Sequence, residues 1–472
     1  MPFPRHPHPD TLKSLADAAP IPFWLDDLRR PQPTSALTRT IRTDLVVIGA
    51  GFTGLWTALL AKEADSSRDV TLLEAGETAI GASGRNGGFV AASLTHGFEN
   101  GREHWPKELT LLTEMGQANL EAIDATVKRL GIECDFLRSG ELLVATEPYQ
   151  VDELCHLPEK AAPFGEKLVW LDRYQTRSMV DSPLYLGGLY NQKGVAMVNP
   201  AQLAWGLRRE CLNLGIRLYE RTPVLHLDEE ARDILVHTPY GCVQAKKVAI
   251  ATNAYPPLLK YLSRFIIPVY DYVLVSEPLS TDQRASIGWQ GRQGVSDTNN
   301  LFHYYRMTED GRILWGGYDA VYYRNNGFGI HFEVNSEVFG RLAEHFFLNF
   351  PQLEGLRFTH TWGGAIDTCS RFTPFWGTAK DERIAYVLGF TGLGVGSSRF
   401  GALVMLDLLV GKSTDRTSLE MVRNKPTPFP REPFRSAVIN LTRQSLEQAD
   451  RNQGRRNLWL KLLEDFGLGF DS

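Results

Sequence analysis

Three glycines and one acidic residue stand at a spacing that could bind a dinucleotide. Gly49, Gly51 and Gly54 form the pattern GxGxxG directly after the apolar run DLVVI, and Glu74 closes the next apolar run. The first glycine permits a tight turn, the second lets a pyrophosphate approach the backbone, and the third lets helix and strand pack closely. An acidic side chain here can bind both ribose hydroxyls and would repel a 2′-phosphate, so the pattern predicts NAD or FAD. The other predicted cofactor contacts in these turns are Phe52, Thr53 and Ala75.

A second glycine-rich stretch, GASGRNGGF at residues 81–89, follows the acidic residue closely. Its small side chains would let backbone N–H groups approach a ligand where the chain passes the second half of a long cofactor. Because an NAD enzyme needs little beyond the first unit, this stretch favours FAD; an ordinary surface loop is the alternative. Arg85 and Asn86 would reach the flavin, its phosphate or the substrate. The predicted cofactor contacts in this stretch are Ser83, Arg85, Asn86 and Gly87.

The elements around these stretches have the pattern of a β-α-β unit. DLVVIGAG and VTLLEAG are typical of buried strands, and FTGLWTALLAKEA between them has helical spacing. Further helices are predicted over residues 109–130 and 200–214, and in SSRFGALVMLDLLVG. Strands are predicted in GELLVAT, in residues 265–279, in IAYVLGF and in a hairpin, LFHYYRMTEDGRILWGGYD. After the proline-rich surface segment KPTPFPREPF, the final amphipathic helix GRRNLWLKLLEDFGLGF is expected to dock on the protein body.

Composition narrows the possible partners. A chain of 472 residues predicts two or three compact units. A formal charge of -5 with mixed signs gives no basic patch, so no nucleic-acid partner is expected. The five cysteines lack CxxC spacing, which argues against a zinc site or a disulfide frame. The sequence contains no apolar run of transmembrane length and no export signal, so we expect a cytoplasmic protein.

Several motifs together resemble one known family. VVIGAGFTGLWTALLA, LLEAG, GASGRNGGF, VAIATNAY, YYRMTEDGRILWGG, WGGAID and GFTGLGVG look like the FAD-dependent D-amino-acid-oxidase superfamily. Within it, they are most similar to the γ-glutamylputrescine oxidoreductase-like amine oxidoreductases. The resemblance implies an α/β plus α+β fold: a Rossmann-type, glutathione-reductase-like FAD domain and a substrate domain on a large mixed sheet. It places the backbone near Val224 beside the adenine, and Gly392 and Gly394 at the pyrimidine edge of the flavin.

The expected domain organisation is discontinuous. Residues 1–40 form an irregular lead-in, and residues 416–472 form a C-terminal tail. The FAD-binding domain is expected to combine residues 41–105, 190–264 and 365–415. The substrate domain would combine residues 106–189 and 265–364. The cofactor is predicted to be FAD bound without a covalent link.

The candidates for the substrate side are polar or aromatic. Tyr304 and Arg306 share one face of the predicted hairpin, because side chains alternate along a strand. They line the substrate cavity or form a structural pair at the sheet rim. Trp362, which opens WGGAID, is either a flat pocket wall or a core residue. Arg371 completes the set of predicted catalytic residues.

The region IDTCSRFTPFWG departs from relatives that oxidise α-amino acids. Those relatives hold the carboxylate with an Arg shortly before a final Asp-x-x-Pro, whereas here Ala365 and Ile366 stand at the Arg position and Arg371 replaces the Asp. The alternative is that Arg371, Arg306 or Arg85 binds an acid further along the substrate. Cys369 is expected to be a buried inert thiol rather than a flavin attachment site. His96 is expected to cap a turn, and a place near the flavin is the alternative.

These observations favour an FAD-dependent oxidoreductase that acts on the C–N bond of a primary or secondary amine. A hydride would pass to flavin N5, the imine would hydrolyse, and oxygen or an electron carrier would take the electrons. A flavin monooxygenase is one alternative, although the late glycine turn lacks the acid typical of that class. A flavoprotein that binds without catalysis is the other.

Overall fold

The computed structural model describes residues 3–4 and 6–465. The strands are β1 Thr40–Ile48, β2 Val70–Leu73, β3 Phe89–Ala91, β4 Glu141–Ala145, β5 Val169–Asp172, β6 Gly187–Asn191, β7 Val195–Met197, β8 Arg217–Tyr219, β9 His226–Glu229, β10 Ile234–His237, β11 Cys242–Ile250, β12 Ile267–Ser276, β13 Gly294–Asp297, β14 His303–Met307, β15 Ile313–Gly317, β16 Val321–Tyr322, β17 Phe358–Thr368, β18 Phe375–Ala379 and β19 Ile384–Leu388. The helices are α1 Pro9–Leu12, α2 Phe52–Ala64, α3 Phe98–His104, α4 Leu109–Arg129, α5 Pro148–Cys155, α6 Leu157–Ala161, α7 Arg173–Met179, α8 Pro200–Asn213, α9 Thr281–Ile287, α10 Ser336–Asn349, α11 Gly394–Leu409, α12 Asp415–Ser418, α13 Glu420–Arg423, α14 Phe434–Arg451 and α15 Leu458–Asp465.

The first sheet has the order β18-β19-β11-β1-β2-β8, and the antiparallel strands β10 and β9 extend from β11. Strand β1 pairs in parallel with β2 and with β11, and helix α2 connects β1 to β2. The end of β1 is a continuous apolar run because both faces of a central parallel strand are covered. Helices α2, α4, α8 and α11 contribute to the apolar core on one face of this sheet. The predicted β-α-β unit is confirmed.

The second sheet is mixed and has nine strands in the order β16-β12-β15-β14-β13-β4-β6-β5, with β17 also paired to β12. Strands β12 and β17 form a long antiparallel pair, and β14 and β15 form the predicted hairpin. Helix α10 covers this sheet with Phe346 and Leu342. The fold class predicted from the sequence, a Rossmann-type domain beside a large mixed sheet, is confirmed.

The two sheets draw on the segments that the predicted domains would combine, but details differ; strand β6 of the second sheet, for example, crosses the expected boundary after residue 189. Helix α4, assigned above to the substrate domain, packs through Leu120 and Ile123 into the core of the first sheet. Its apolar stripe is satisfied there because α11 lies against it. Strand β17 continues across the expected boundary at residue 364. The boundaries themselves stay a prediction.

The two ends of the chain pack onto the body. In the lead-in, the Trp24 indole N–H donates to the Asn86 carbonyl at 2.9 Å. In the tail, helix α14 was not predicted and follows the proline-rich segment. Helix α15 packs on α14 through Leu460, while the remaining predicted residues, 466–472, lie outside the described part of the chain. Among the described residues, no helix is long and apolar enough to cross a membrane.

Candidate active site

The glycine pattern after β1 builds a turn that side chains would block. Gly49 has a φ of +103°, and a Cβ on it would lie 2.5 Å from the Ala251 carbonyl oxygen. A Cβ on Gly54 would lie 1.8 Å from the Gly49 carbonyl oxygen, so only glycine allows α2 to pack against this turn. Helix α2 starts at Phe52, and its N-terminal N–H groups carry the partial positive charge that favours a phosphate.

Glu74 lies at the end of β2 beside this turn. Its carboxylate oxygens accept hydrogen bonds from the Ala50 N–H at 2.7 Å and the Gly76 N–H at 2.8 Å. Burial raises the pKa of this carboxyl group, and the two N–H donors partly offset that effect. The Glu74 carbonyl accepts from the Thr222 N–H at 2.7 Å, which brings the segment leading to Val224 alongside. The predicted nucleotide contacts are therefore neighbours in space.

The loop at residues 81–89 joins this turn directly. The Ser83 hydroxyl accepts a hydrogen bond from the Phe52 N–H at 2.8 Å. The Asn86 side chain donates to the carbonyls of Ala82 and Ser83 and accepts from the Gly88 N–H at 2.9 Å. These bonds fix the loop in one shape, so its bare backbone forms a rigid wall at the start of α2.

Arg85, in the same loop, connects to the second sheet. Its guanidinium donates to the Ile80 carbonyl at 2.7 Å and to the Gly363 carbonyl at 3.1 Å, and it pairs with Glu333 at 2.5 Å. The Trp362 indole N–H donates to the Arg85 carbonyl at 2.9 Å. Through these contacts the Arg85 side chain holds the loop against β17.

One large cavity, of about 770 Å³, runs between the loop and the second sheet. Its wall includes residues from the predicted turns, among them Thr53, Ser83, Gly87, Gly392 and Gly394. Gly392 has a φ of +91°, and a Cβ on it would meet no atom within 4 Å. Helix α11 begins at Gly394 without a side-chain cap, so its first N–H groups are free to bind a polar ring edge.

The second sheet contributes a paired phenol and carboxyl to the same cavity. The Tyr304 hydroxyl on β14 donates to the Asp271 carboxylate on β12 at 2.5 Å. Burial raises the pKa of Asp271 to about 6 and that of Tyr304 well above its usual range. Gly87 and Gly316 leave room for the phenol, since a Cβ on either would lie within 2.8 Å of its atoms.

Asp271 was not predicted from the sequence. Its one signal was a single acidic residue in the otherwise apolar and aromatic strand IIPVYDYVLV. Nothing local connects it to Tyr304, because the two residues meet only through the order of strands in the sheet.

Comparison with known proteins identifies the family. Residues 44–408 match the profile of the DAO family, described as FAD dependent oxidoreductase. The chain belongs to this family. The γ-glutamylputrescine oxidoreductase of Escherichia coli is 32% identical over 414 residues, which are 86% of this chain and 92% of that protein. The probable oxidoreductase OrdL of Haemophilus influenzae is 27% identical over 401 residues, 82% of this chain and 88% of that protein.

The fold of this oxidoreductase also matches solved structures. Glycine oxidase from Geobacillus kaustophilus superimposes with a TM-score of 0.67, covering 82% of this chain and 98% of that protein, at 21% identity. The resemblance inferred from the motifs is thus confirmed, and with it FAD as the cofactor. The residues present fit this group, because the open space above Gly392 and the cradle at Gly49–Gly54 leave backbone N–H groups beside the cavity.

His96 contacts the glycine turn before α11. It lines the cavity, and its ring Nε2 lies 3.1 Å from the Thr391 carbonyl oxygen, where a protonated Nε2 donates. Burial lowers the pKa of this imidazole, which favours the neutral form. Through this contact the loop before α3 packs onto the glycine turn before α11 of this oxidoreductase, and the role of His96 stays a prediction.

Two of the predicted catalytic residues have structural contacts. Arg306 is fully buried, donates to the Val198 carbonyl at 2.6 Å and lies 3.4 Å from the Asp135 carboxylate. Trp362 packs among core residues between the two sheets, including Val273. Neither side chain belongs to the cavity wall. The hairpin face shared by Tyr304 and Arg306 passes from the cavity into the core within two residues.

Arg371 also differs from its predicted role. Its guanidinium donates to the carbonyls of Pro374 at 2.6 Å and of Met421 and Asn424 at 2.8 Å. It lies over the Trp105 ring and outside the cavity wall of the oxidoreductase. Backbone carbonyls near α13 use its donors, so this side chain ties the C-terminal tail to the body.

Cys369 has the contacts expected of an inert thiol. Its Sγ donates to the Thr373 carbonyl at 3.0 Å, and burial raises the pKa of the thiol. A high thiol pKa disfavours the thiolate that flavin attachment needs. These contacts support the prediction of non-covalent FAD.

Proposed function

We propose that this enzyme oxidises the C–N bond of a small primary or secondary amine, and that the imine product is then hydrolysed to a carbonyl compound. The pair formed by Asp271 and Tyr304 carries the proposal, because it places a hydrogen-bond acceptor in the same cavity as the glycine turn at Gly392. The names of the relatives add support, since γ-glutamylputrescine oxidoreductase acts on an amine.

Both Asp271 oxygens already accept hydrogen bonds, and the Gly317 backbone N–H contributes a further one. Oδ2 accepts from the Tyr304 hydroxyl at 2.5 Å and Oδ1 from the Tyr272 N–H at 2.8 Å. A carboxylate offers about four lone-pair positions, so capacity remains for a substrate N–H. We propose that Asp271 accepts that bond and orients the nitrogen lone pair, while Tyr304 holds the carboxylate in place. Both groups would orient the substrate amine, and neither would form a covalent bond to it.

Bound FAD would supply the acceptor for the hydride that leaves the carbon beside the nitrogen. Apolar side chains of Val273, Ala365 and Ile366 line the cavity close to Asp271 along β12 and β17. They keep water from the reacting carbon and disfavour the charged ammonium form, which has no lone pair to form the C=N bond. The proposed role of the pocket is therefore to bind the amine neutral.

The test is an anaerobic titration of the purified yellow protein with a panel of amines, starting with γ-glutamylputrescine. We expect bleaching of the flavin absorbance by amine alone and its return on admission of oxygen or an artificial electron carrier. Bleaching that requires NAD(P)H would favour a monooxygenase, and no bleaching by any amine would favour a binding protein. Reoxidation of the reduced flavin then shows whether oxygen or an electron carrier accepts the electrons. A cytoplasmic location stays a prediction.

A further inference from the structure

Helix α14 lies beyond residues 44–408, the part of the chain that matches the family, yet it forms part of the cavity wall. Side chains on one of its faces line the cavity: Val438, Ile439, Thr442, Arg443 and Leu446. The opposite face is exposed, as Leu441 shows with 44% of its surface accessible. The helix therefore separates the cavity from solvent. This part of the cavity wall comes from the C-terminal segment, outside the residues that match the family.

Polar contacts hold both ends of α14 against the second sheet. Near its start, the Glu432 carboxylate accepts from the Tyr322 hydroxyl at 2.8 Å, and Arg435 donates to the Asn326 side chain at 2.7 Å. Near its end, the Asp450 carboxylate accepts from the Asn300 N–H at 2.8 Å. Since both ends are fixed, the wall is pre-organised for a ligand.

Arg443 is the charged group on the inner face of α14. Its guanidinium lies 3.6 Å from the Asp319 carboxylate, which also forms a closer ion pair with Arg341. The side chain of Arg443 keeps 38% of its surface accessible, whereas that of Asp319 keeps 3%. Asp319 thus stays paired through Arg341, and the Arg443 fork is available to an anion in the cavity.

We propose that α14 binds the part of the substrate that is distal to the reacting C–N bond, with Arg443 contacting a carboxylate there. Val438, Ile439 and Leu446 would contact the aliphatic chain between the two groups. The structure thus assigns the substrate class as amines with a terminal acid, and this assignment rests on the proposed amine oxidation. Of the arginines expected from the sequence to bind that acid, Arg306 and Arg371 lie outside the cavity wall, and Arg85 is already paired with Glu333.

The experiment compares two substrates of equal length, N-methylbutylamine and 4-(methylamino)butanoate. In the wild type we expect the ratio of kcat/KM to favour the carboxylate. In Arg443→Gln this ratio should fall by about 10- to 100-fold, because a charge-assisted hydrogen bond is worth about 1.5–3 kcal/mol. Arg431→Gln, which changes an exposed arginine just before the same helix, is the matched control and should keep the wild-type ratio.

Binding of butanoate, measured by calorimetry, gives a second readout that does not depend on turnover. We expect Arg443→Gln to weaken it about tenfold or more and Arg443→Lys to weaken it less. Flavin absorbance and thermal unfolding show whether each variant is folded. If amines bleach the wild-type flavin but Arg443→Gln keeps both the ratio and butanoate binding, this inference is wrong and amine oxidation stands. If no amine bleaches the wild type, the proposed function itself fails.

Discussion

Glu74 and Asp271 are both buried carboxyl groups, but opposite kinds of structure hold them. The Glu74 oxygens accept two backbone N–H groups from Ala50 and Gly76, which lie within about one β-α-β unit of it. Asp271 accepts a hydrogen bond from the hydroxyl group of Tyr304, which lies 33 residues away on another strand. The nucleotide end of the site is built by local backbone, and the substrate end by side chains from distant strands.

This difference implies that mutations can alter the two ends of the site independently. Backbone donors are present whatever the side chains are, so the phosphate-binding part of a nucleotide site needs only glycines at the right spacing. A side-chain pair depends on the identity of both partners and on the strand order that brings them together. We therefore expect changes at the first end to affect cofactor binding, and changes at the second end to affect turnover with the cofactor still bound.

The largest effect is expected at the nucleotide end, from Gly54→Ala. The added Cβ would overlap the Gly49 carbonyl oxygen at 1.8 Å, so the turn must move away from its cofactor-binding shape. Because the overlap is with backbone, overpacking here should cost about 3 kcal/mol, the upper end of its usual range, and we expect the flavin content of the purified protein to fall about 100-fold or more. Absorbance at the flavin band measures it. Ala64→Val, at the exposed end of the same helix, should keep the yellow colour.

The next effect is expected at the substrate end, from Asp271→Asn. Flavin content should stay normal while kcat/KM for the amine falls about 100-fold, since a hydrogen bond to a charged group contributes about 1.5–3 kcal/mol. Loss of flavin in this variant would contradict the expectation that changes at the substrate end leave the cofactor bound. Asp282→Asn, on the exposed first turn of α9, is the control and should keep wild-type kinetics.

The pH dependence of flavin reduction is a second test of the role of Asp271. Because the pKa of Asp271 is about 6, the rate of flavin reduction should rise with pH up to about 6 and level off above it, and Asp271→Asn should lose this limb. The folded-state pKa is raised, so the native protein loses stability as the carboxyl ionises on the way up through pH 6. At pH 8 the variant should therefore unfold at a higher temperature than the wild type.

A smaller effect is expected from Glu74→Gln. The amide would present an N–H₂ group to one of the two backbone donors, which removes one hydrogen bond and the charge that favours unphosphorylated ribose. We expect FAD to bind about tenfold more weakly, or about 1.4 kcal/mol, in titrations of the apoprotein. Glu77→Gln, three residues on and paired outside the turn with Arg30 and Arg221, should keep its affinity. Equal weakening in both variants would contradict the role of Glu74.

The smallest effect is expected from Cys369→Ala. If FAD is held without a covalent bond, acid precipitation releases the flavin into the supernatant from both wild type and variant. Flavin content should change by less than about twofold, because the thiol contributes one weak hydrogen bond. Cys155→Ala, on the half-exposed end of α5, is the control. Flavin retained in the wild-type precipitate and released from the variant would show a covalent link.

The sequence alone determined the nucleotide end. The spacing of Gly49, Gly51 and Gly54, the strand before them and the acid after them specify a local turn, and local hydrogen bonds then complete it. The amphipathic helix at residues 109–130 and the hairpin of β14 and β15 were also predictable, because periodicity and turn residues act over short distances.

The side chains that meet at the substrate end of the cavity are known only from the tertiary structure. Alternation in the hairpin placed Tyr304 and Arg306 on one face. Tyr304 lines the cavity, whereas Arg306 is buried against Val198 and Asp135. Asp271 meets Tyr304, and Arg443 reaches the cavity, through strand order and helix packing that no local pattern encodes. The physical reason is that long-range contacts depend on which surfaces are buried together, and this is settled by the whole fold.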